Sequence, residues 1–347
     1  MMRCFQGDRK MKHGKKCKID KYTLILIVLL LLLTGLVIAW KLPQKEDRYI
    51  HVGIAVYDRS DTFMESYIRE LEDKIGQTRI LGKKVSYEIY DAEGIGSRQE
   101  KQLQEMYAQD YDVMLVNLVE PASAASVLTD AKDADIPVIL FNREIDEKDL
   151  KISKNVWYVG TDARAAGVMQ GKLLKDLWKK QSRILDWNGN GMLDYVLVEG
   201  EESHFDAIRR TSGFLETGAE LPLNQKGNIL AEWKRELAYE KFAALDDEAV
   251  QNVEAVICNN DDMALGVYDY YKEKNLKLPV IIGINNSEEM HQKIMSGEMN
   301  GTIDNKMEDQ VMEICRLMQA ILKKDTGSYQ KVWYSTPKAI VKAEGTE

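Results

Sequence analysis

From residue 51 onward, short β-rich runs alternate with helical patterns, and that order leaves few folds open. The runs are HVGIAVY (51–57), KVSYEIYDA (84–92), DVMLVNLV (112–119) and IPVILFN (136–142), with helical patterns over 61–80, 97–110 and 122–134. Strand, helix, strand in repetition means a parallel sheet with crossover helices. After about residue 156 the cycle restarts: VWYVG, a helix from Asp162 to about Lys180, DYVLVEG, a helix from Ser203, then GNILAEW, VEAVICNN and LPVIIGIN, each followed by a helix. Two open α/β lobes in tandem are expected. Short strands near 301–304, 331–334 and 339–342 and a helix over 306–324 would finish both. A chain of 347 residues, 45% hydrophobic and 30% charged, has the material for two such cores.

Ahead of this body, YTLILIVLLLLLTGLVIAW (22–40) is an uncharged run of 19 residues, about the length a helix needs to cross a bilayer, with Tyr22 and Trp40 at its two ends. The preceding 21 residues carry eight Lys/Arg against Asp8 and Asp20. A basic flank before the run and a mixed one after it place the tail in the cytoplasm and the body outside. The run is read as a retained anchor, with a cleaved signal peptide as the alternative, since Val37 and Ala39 offer small residues for cleavage. The tail has a surplus of six positive charges and the whole chain stands at -9, so the body carries -15. An acidic body argues against nucleic acid as a partner. Cys4 and Cys17 lie in the tail, leaving Cys258 and Cys315 as two unpaired core thiols rather than a disulfide framework.

One loop carries metal-like spacing. In LDWNGNGMLDYVLVEGE (185–201), Asp186, Asn188, Asn190 and Asp194 set oxygens at alternate positions, and Gly191 falls where a calcium loop turns sharply. Position twelve, where a helix-loop-helix site places a two-oxygen Glu, is Leu197. The loop is therefore a broken site or one completed from elsewhere.

In open parallel sheets ligands sit at the carboxyl ends of the strands. Those ends are polar here: DRSDTF after the first, Asn117 at the third, then GEESHFD, EW, CNNDD and INNSEE. Loops are polar in any protein, so this alone decides nothing.

Several stretches together carry a resemblance: VGIAVYDRSDTFM, VNLVEPASAASV, IPVILFNRE, VWYVGTDARAAGVMQG, DWNGNGMLDYVLVEGEESHFDAIRRT, VEAVICNNDDMALG and NGTIDN. In this order, over about 50–342, the chain resembles the periplasmic galactose/glucose-binding proteins, type I substrate-binding proteins of sugar uptake and chemotaxis. The resemblance implies the type I periplasmic-binding-protein fold, two Rossmann-like parallel-sheet lobes joined by a three-segment hinge, here preceded by an N-terminal transmembrane helix. On this reading 1–21 is a basic cytoplasmic tail, 22–40 the anchor or signal peptide and 41–48 a linker. The N-terminal lobe comprises 49–137 and 305–333, and the C-terminal lobe 138–304 and 334–347 with the calcium loop 186–194. Crossings are expected near Pro137, Asp304 and Tyr334.

The resemblance also implies the site residues. It completes the Ca2+ loop with Glu254, beside Asp186, Asn188, Asn190, the Met192 carbonyl and Asp194. Asn190 stands where the family usually has Asp, and Asp194 where it often has Gln. For the sugar, a pyranose needs polar groups around its rim and aromatic plates on its faces. Phe63 and Trp233 match the plates. Asp61 and Asn117 from the first lobe, and His204, Asp206, Arg210, Asn260 and Asn285 from the second, match the rim, with Asn305 near a crossing. Taken alone, the two aromatics read as core residues and the Asp206/Arg210 spacing as a surface ion pair. Asn285 replaces a family Asp, which bears on which hydroxyls are preferred.

The expected function is extracytoplasmic binding of a monosaccharide of the glucose or galactose kind, by a monomer whose lobes close and present the sugar to an ABC-type transporter. An alternative is a membrane-anchored sensor docking on a chemoreceptor or sensor kinase. The chain is not expected to be an enzyme, because no activated Ser or Cys, phosphate loop or catalytic metal cluster is present. A sugar-processing enzyme using His204 and Asp206, or a structural calcium-binding surface protein, are the alternatives from other classes.

Overall fold

The computed structural model describes residues 21–23, 26–28, 30, 34, 49–245 and 250–342. Contacts divide the chain into two units, 1–47 and 48–347. The basic tail apart from Lys21, the linker 41–48 and the end of the expected C-terminal lobe at 343–347 lie outside the described residues, as does most of the expected span. Within that span Tyr22, Thr23, Leu26, Ile27, Val28, Leu30 and Thr34 are described and helical. Among the described residues no helix is long and apolar enough to cross a membrane.

The body follows the alternation read from the sequence. Its first part runs β1 (Tyr49–Val56), α1 (Thr62–Gln77), β2 (Arg79–Ile80), β3 (Lys83–Asp91), α2 (Gly96–Tyr107), β4 (Val113–Val116), α3 (Ala124–Asp133), β5 (Val138–Asn142) and β6 (Val156–Thr161). Then come α4 (Ala163–Leu185), β7 (Leu193–Glu199), α5 (Phe205–Gly218), β8 (Leu223–Leu230), α6 (Arg235–Ala243), β9 (Ala255–Cys258), α7 (Asp261–Glu273), β10 (Val280–Ile284), α8 (Glu288–Ser296) and β11 (Gly301–Asp304). Helix α9 (Met307–Leu322) and strands β12 (Val332–Ser335) and β13 (Lys338–Ile340) complete the body.

Two sheets result, ordered β12-β6-β5-β4-β1-β3-β2 and β13-β11-β10-β9-β7-β8. Pairing is parallel except at β2 and β13, which run antiparallel at an edge of each sheet. The inner strands of each sheet are buried on both faces, which is why they read as unbroken apolar runs. In β4, Val113 and Leu115 enter one core while Met114 and Val116 enter the core on the opposite face. In β7, Val196 and Val198 face one way and Tyr195 and Leu197 the other.

The lobe boundary expected near Pro137 is corrected. Strand β5 pairs with β4, Met114 opposite Val138, and β6 pairs with β5, so residues 138–161 belong to the first lobe. The first crossing falls between Thr161 and Asp162, where Asp162 caps α4 by accepting from the Ala165 amide at 2.9 Å. The second crossing follows Asp304 as expected. The third lies between β12 and β13, so Tyr334 still belongs to the first sheet. An apolar parallel strand carries no mark of which sheet it will join, and only the pairing decides it.

Helix α5, which carries several expected site residues, is pressed onto α4 through glycines. A Cβ on Gly167 would lie 1.9 Å from the Arg210 carbonyl oxygen, and one on Gly213 would lie 2.2 Å from that of Arg164. Gly213→Ala raises intrinsic helix propensity by about 1 kcal/mol. It is nevertheless expected to destabilise the body by about 1–3 kcal/mol, because the helices must separate. Denaturant titration checks this, and an unchanged midpoint would show that the close approach is dispensable.

Candidate functional site

The carboxyl ends of both sheets face a cleft between the lobes. Its enclosed part, about 40 Å³, is lined by Tyr57, Asp61, Phe63, Asn142, Arg143, His204, Asp206, Arg210, Trp233, Asn260 and Asn285. It opens into a mouth of about 1160 Å³ that shares Tyr57, Asp61, Arg143 and Trp233. The enclosed part has room for only a few waters, so anything larger enters with the lips apart.

Eight of the ten residues expected around a ligand line this cavity, including both aromatic plates. Each is placed by a strand end or a helix start. Asp61 caps α1, accepting from the Met64 amide at 2.8 Å. Asn260 caps α7, accepting from Met263 N at 3.0 Å, and its Nδ2 donates to the Trp233 carbonyl at 2.9 Å. The Trp233 indole N–H donates to Glu201 Oε1 at 3.0 Å, and its ring meets that of His204 edge-on, 5.3 Å between centroids.

The other two stand one hydrogen bond behind the wall. Asn117 is fully buried; its Oδ1 accepts from Tyr57 N at 3.3 Å, and its Nδ2 donates to the Phe141 carbonyl at 3.1 Å and to Asn142 Oδ1 at 3.3 Å. Asn305 donates from Nδ2 to Asn285 Oδ1 at 2.9 Å. Both therefore set lining residues in place. Tyr57, Asn142 and Arg143 were missed. They end β1 and β5, and inspection of every strand end would have found them.

The polar groups are tuned by burial. His204 caps α5, its Nδ1 accepting from Asp206 N at 3.1 Å, so the ring hydrogen sits on Nε2. Burial, reinforced by Arg143 and Arg210, drives its pKa down to about 2. The ring is neutral, and its 3.5 Å approach to Asp206 is not an ion pair. Burial raises the Asp206 carboxyl, while Arg210 pulls it back. Arg210 donates to the Asn259 carbonyl at 2.7 Å, and its guanidinium lies 5.5 Å from the Trp233 ring centroid. Two buried donors, His204 Nε2 and Arg210 Nε, have no partner. Such groups are costly unless something accepts from them.

Across the cleft, Arg143 lies 3.7 Å from the Tyr57 ring centroid and pairs with Glu201 of the second lobe at 3.1 Å. Glu144 bonds to Arg209 of α5 and accepts from the Tyr334 hydroxyl at 2.5 Å. Burial pushes Glu144 up to about 7.

At the far end of the second lobe, the loop 186–194 meets Glu254. This carboxylate is fully buried; Oε1 accepts from Trp187 N at 2.8 Å and Asn188 N at 3.2 Å, and Oε2 from Asp194 N at 2.9 Å. Asp186 accepts from the amides of Asn190 and Gly191, and Asn190 Oδ1 accepts from Met192 N. Asp194 is approached by Asn224 at 2.6 Å and Lys226 at 3.4 Å. In kind, these oxygens suit a hard cation. Among the described residues, however, no three acidic, His or Cys side chains are grouped to hold a metal.

Residues 52–326 match the periplasmic binding protein domain. The chain belongs to that family. It is 30% identical over 290 residues to the D-galactose/methyl-galactoside binding periplasmic protein of Haemophilus influenzae, covering 81% of this chain and 84% of that one. It is 27% identical to a galactofuranose-binding protein of Escherichia coli, over 69% of this chain and 74% of its relative. An ABC transporter periplasmic solute binding protein from Actinobacillus succinogenes, solved with D-allose, has the same fold, with TM-score 0.73, 19% identity and coverage of 84% and 97%. The family consists of substrate-binding proteins rather than enzymes, and its place is outside the cytoplasm.

His204 gives the family site an acid sensitivity. The unfolded imidazole titrates near its ordinary 6.5 while the folded ring resists protonation down to about 2. Stability is therefore lost as pH falls below 6.5, by up to about 1.4 kcal/mol per unit from this group. His204→Gln is expected to unfold with a flatter dependence between pH 6.5 and 5 than the parent. Identical slopes would mean that the ring is not neutral in the native state.

Proposed function

We propose that the chain binds a monosaccharide, a neutral aldohexose of the glucose or galactose kind, between its lobes and presents the closed form to an ATP-driven sugar transporter. One observation carries this reading: two buried, unpartnered N–H donors, His204 Nε2 and Arg210 Nε, line a cavity that also holds Phe63 and Trp233. Donors without acceptors suit the hydroxyl oxygens of a sugar, and flat rings suit its C–H faces. The galactoside-binding relative from H. influenzae supports the same ligand class. Asp206 and Asn260 would accept from or donate to ring-plane hydroxyls, and Asn117 and Asn305 would act through the residues they hold. Asn285 Oδ1 accepts from Asn305 Nδ2, which leaves the Asn285 amide nitrogen for the ligand. Residues 22–40 would keep the binder on the cell as a membrane anchor.

Isothermal titration of the purified full chain against a panel of monosaccharides tests the reading. A hexose of the glucose or galactose kind is expected to bind, and Asp206→Asn and Trp233→Ala to weaken it roughly tenfold to a hundredfold each. A panel in which no sugar binds would sink it.

The loop completed by Glu254 would hold Ca2+ as a structural ion, since two buried carboxylates, Glu254 and Asp194, lie at its ends, with Lys226 as the competing cation at Asp194. Calcium at millimolar concentration is then expected to raise the melting temperature of chelator-treated protein, and Glu254→Gln to abolish the rise. A melting curve indifferent to calcium would leave the loop as a self-sufficient turn.

A further inference from the structure

The mouth of the cleft is unevenly charged. Eleven acidic and four basic side chains line it. All four bases are committed: Arg143 to Glu201, Arg235 to Asp269 and Glu289, Arg69 to Glu65, and Lys234 to Glu232. Two helix starts face this space from opposite lobes, α1 with Asp61 at its cap and α7 with Asp262 in its first turn. Asp262 faces Asp61 across the cleft and accepts a hydrogen bond from Thr62 beside it, with Asp261 on its own helix and Arg235 on α6 nearby. Ser287, Glu288 and Glu289 line the same mouth from the start of α8. Asp61 also lines the enclosed cavity into which the unpartnered donors of His204 and Arg210 face.

We propose that Asp262, set against Asp61 across the lips, makes closure depend on ligand charge: a protonated amino sugar closes the lobes more readily than the matching neutral hexose, and a uronic acid less. The proposal rests on the sugar reading above and deepens it.

Closing over a neutral ligand brings two carboxylates together with no uncommitted cation lining the space, which opposes the closed state. An ammonium on the ligand offsets that repulsion. A ligand carboxylate at the lips adds a further like charge where Arg143 is already paired with Glu201, and deeper in, the Arg210 charge is shared with Asp206 and His204 is neutral. A proton does the work of the ammonium. Burial, then the Asp61 charge, push Asp262 up to about 7 in this closed arrangement. With the lips apart its pKa falls toward the ordinary carboxylate value, so closing takes up a proton near neutrality and is disfavoured as pH rises through 7.

The experiment titrates the full chain with galactose, galactosamine and galacturonic acid, and with the glucose series, at pH 7 in low and high salt, beside Asp262→Asn. In the parent, the amino sugar is expected to bind roughly threefold to tenfold tighter than the hexose and the uronic acid weaker by a similar factor. The spread should shrink in Asp262→Asn and in high salt. Hexose affinity should rise from pH 8 to pH 6 in the parent and less in the variant, the hinge carboxyl of Glu144 contributing equally to both. Equal affinities across a series, or an unchanged spread in Asp262→Asn, would overturn the proposal and leave sugar binding intact. Failure of every compound to bind would overturn both.

Discussion

The backbone carbonyl of Asn305 ties the three crossings together, and the cleft depends on it. Thr161 at the end of β6 donates to it at 2.9 Å, Ser335 at the end of β12 at 2.7 Å, and Gln310 on α9 at 2.8 Å. Thr161 and Ser335 also touch each other at 2.9 Å. All of these groups are buried, so breaking the cluster would leave several polar atoms unsatisfied at once. Three chain segments are thereby held at one point while the strand ends beyond it remain free to swing. Hinges of this kind absorb rotation in a few residues at element ends.

The contacts bridging the cleft pull in opposite directions. Arg143 with Glu201, and Glu144 with Arg209, draw the lobes together. The Asp61 charge beside Asp262 opposes them, although Thr62 on the same lip bonds to Asp262. These contacts act on one equilibrium, between lobes apart and lobes closed. A ligand shifts such a balance only by its preference for one form. The Trp233 plate is part of the same circuit, since its indole N–H shares Glu201 Oε1 with Arg143.

The alternation of strands and helices was legible because each buried strand is an apolar run and each helix a periodic one. Helices expected over 61–80 and 306–324 are found at Thr62–Gln77 and Met307–Leu322. The first crossing was not legible: VILF at 138–141 fits either sheet, and only its partner strand decides which. The two-residue strand β2 is too short to carry a period. Eight lining residues were reached because strand-end motifs carried the family likeness. Asn117 and Asn305 were placed in the right neighbourhood but one layer too far forward, because sequence shows that an amide is present and not which neighbour it bonds. Arg143 lay within a quoted stretch, and its pairing with Glu201, 58 positions away, is visible only once the lobes meet.

Trp233 is held with φ 67°, a left-handed backbone that a bulky residue adopts only under constraint. Its indole lies flat against bare Gly200, where a Cβ would come within 2.3 Å of the ring. Glycine at 233 would relax the turn, and any larger residue at 200 would evict the indole. The strained turn and the bare glycine thus form one unit, and neither position can change without displacing the ring from the cleft wall.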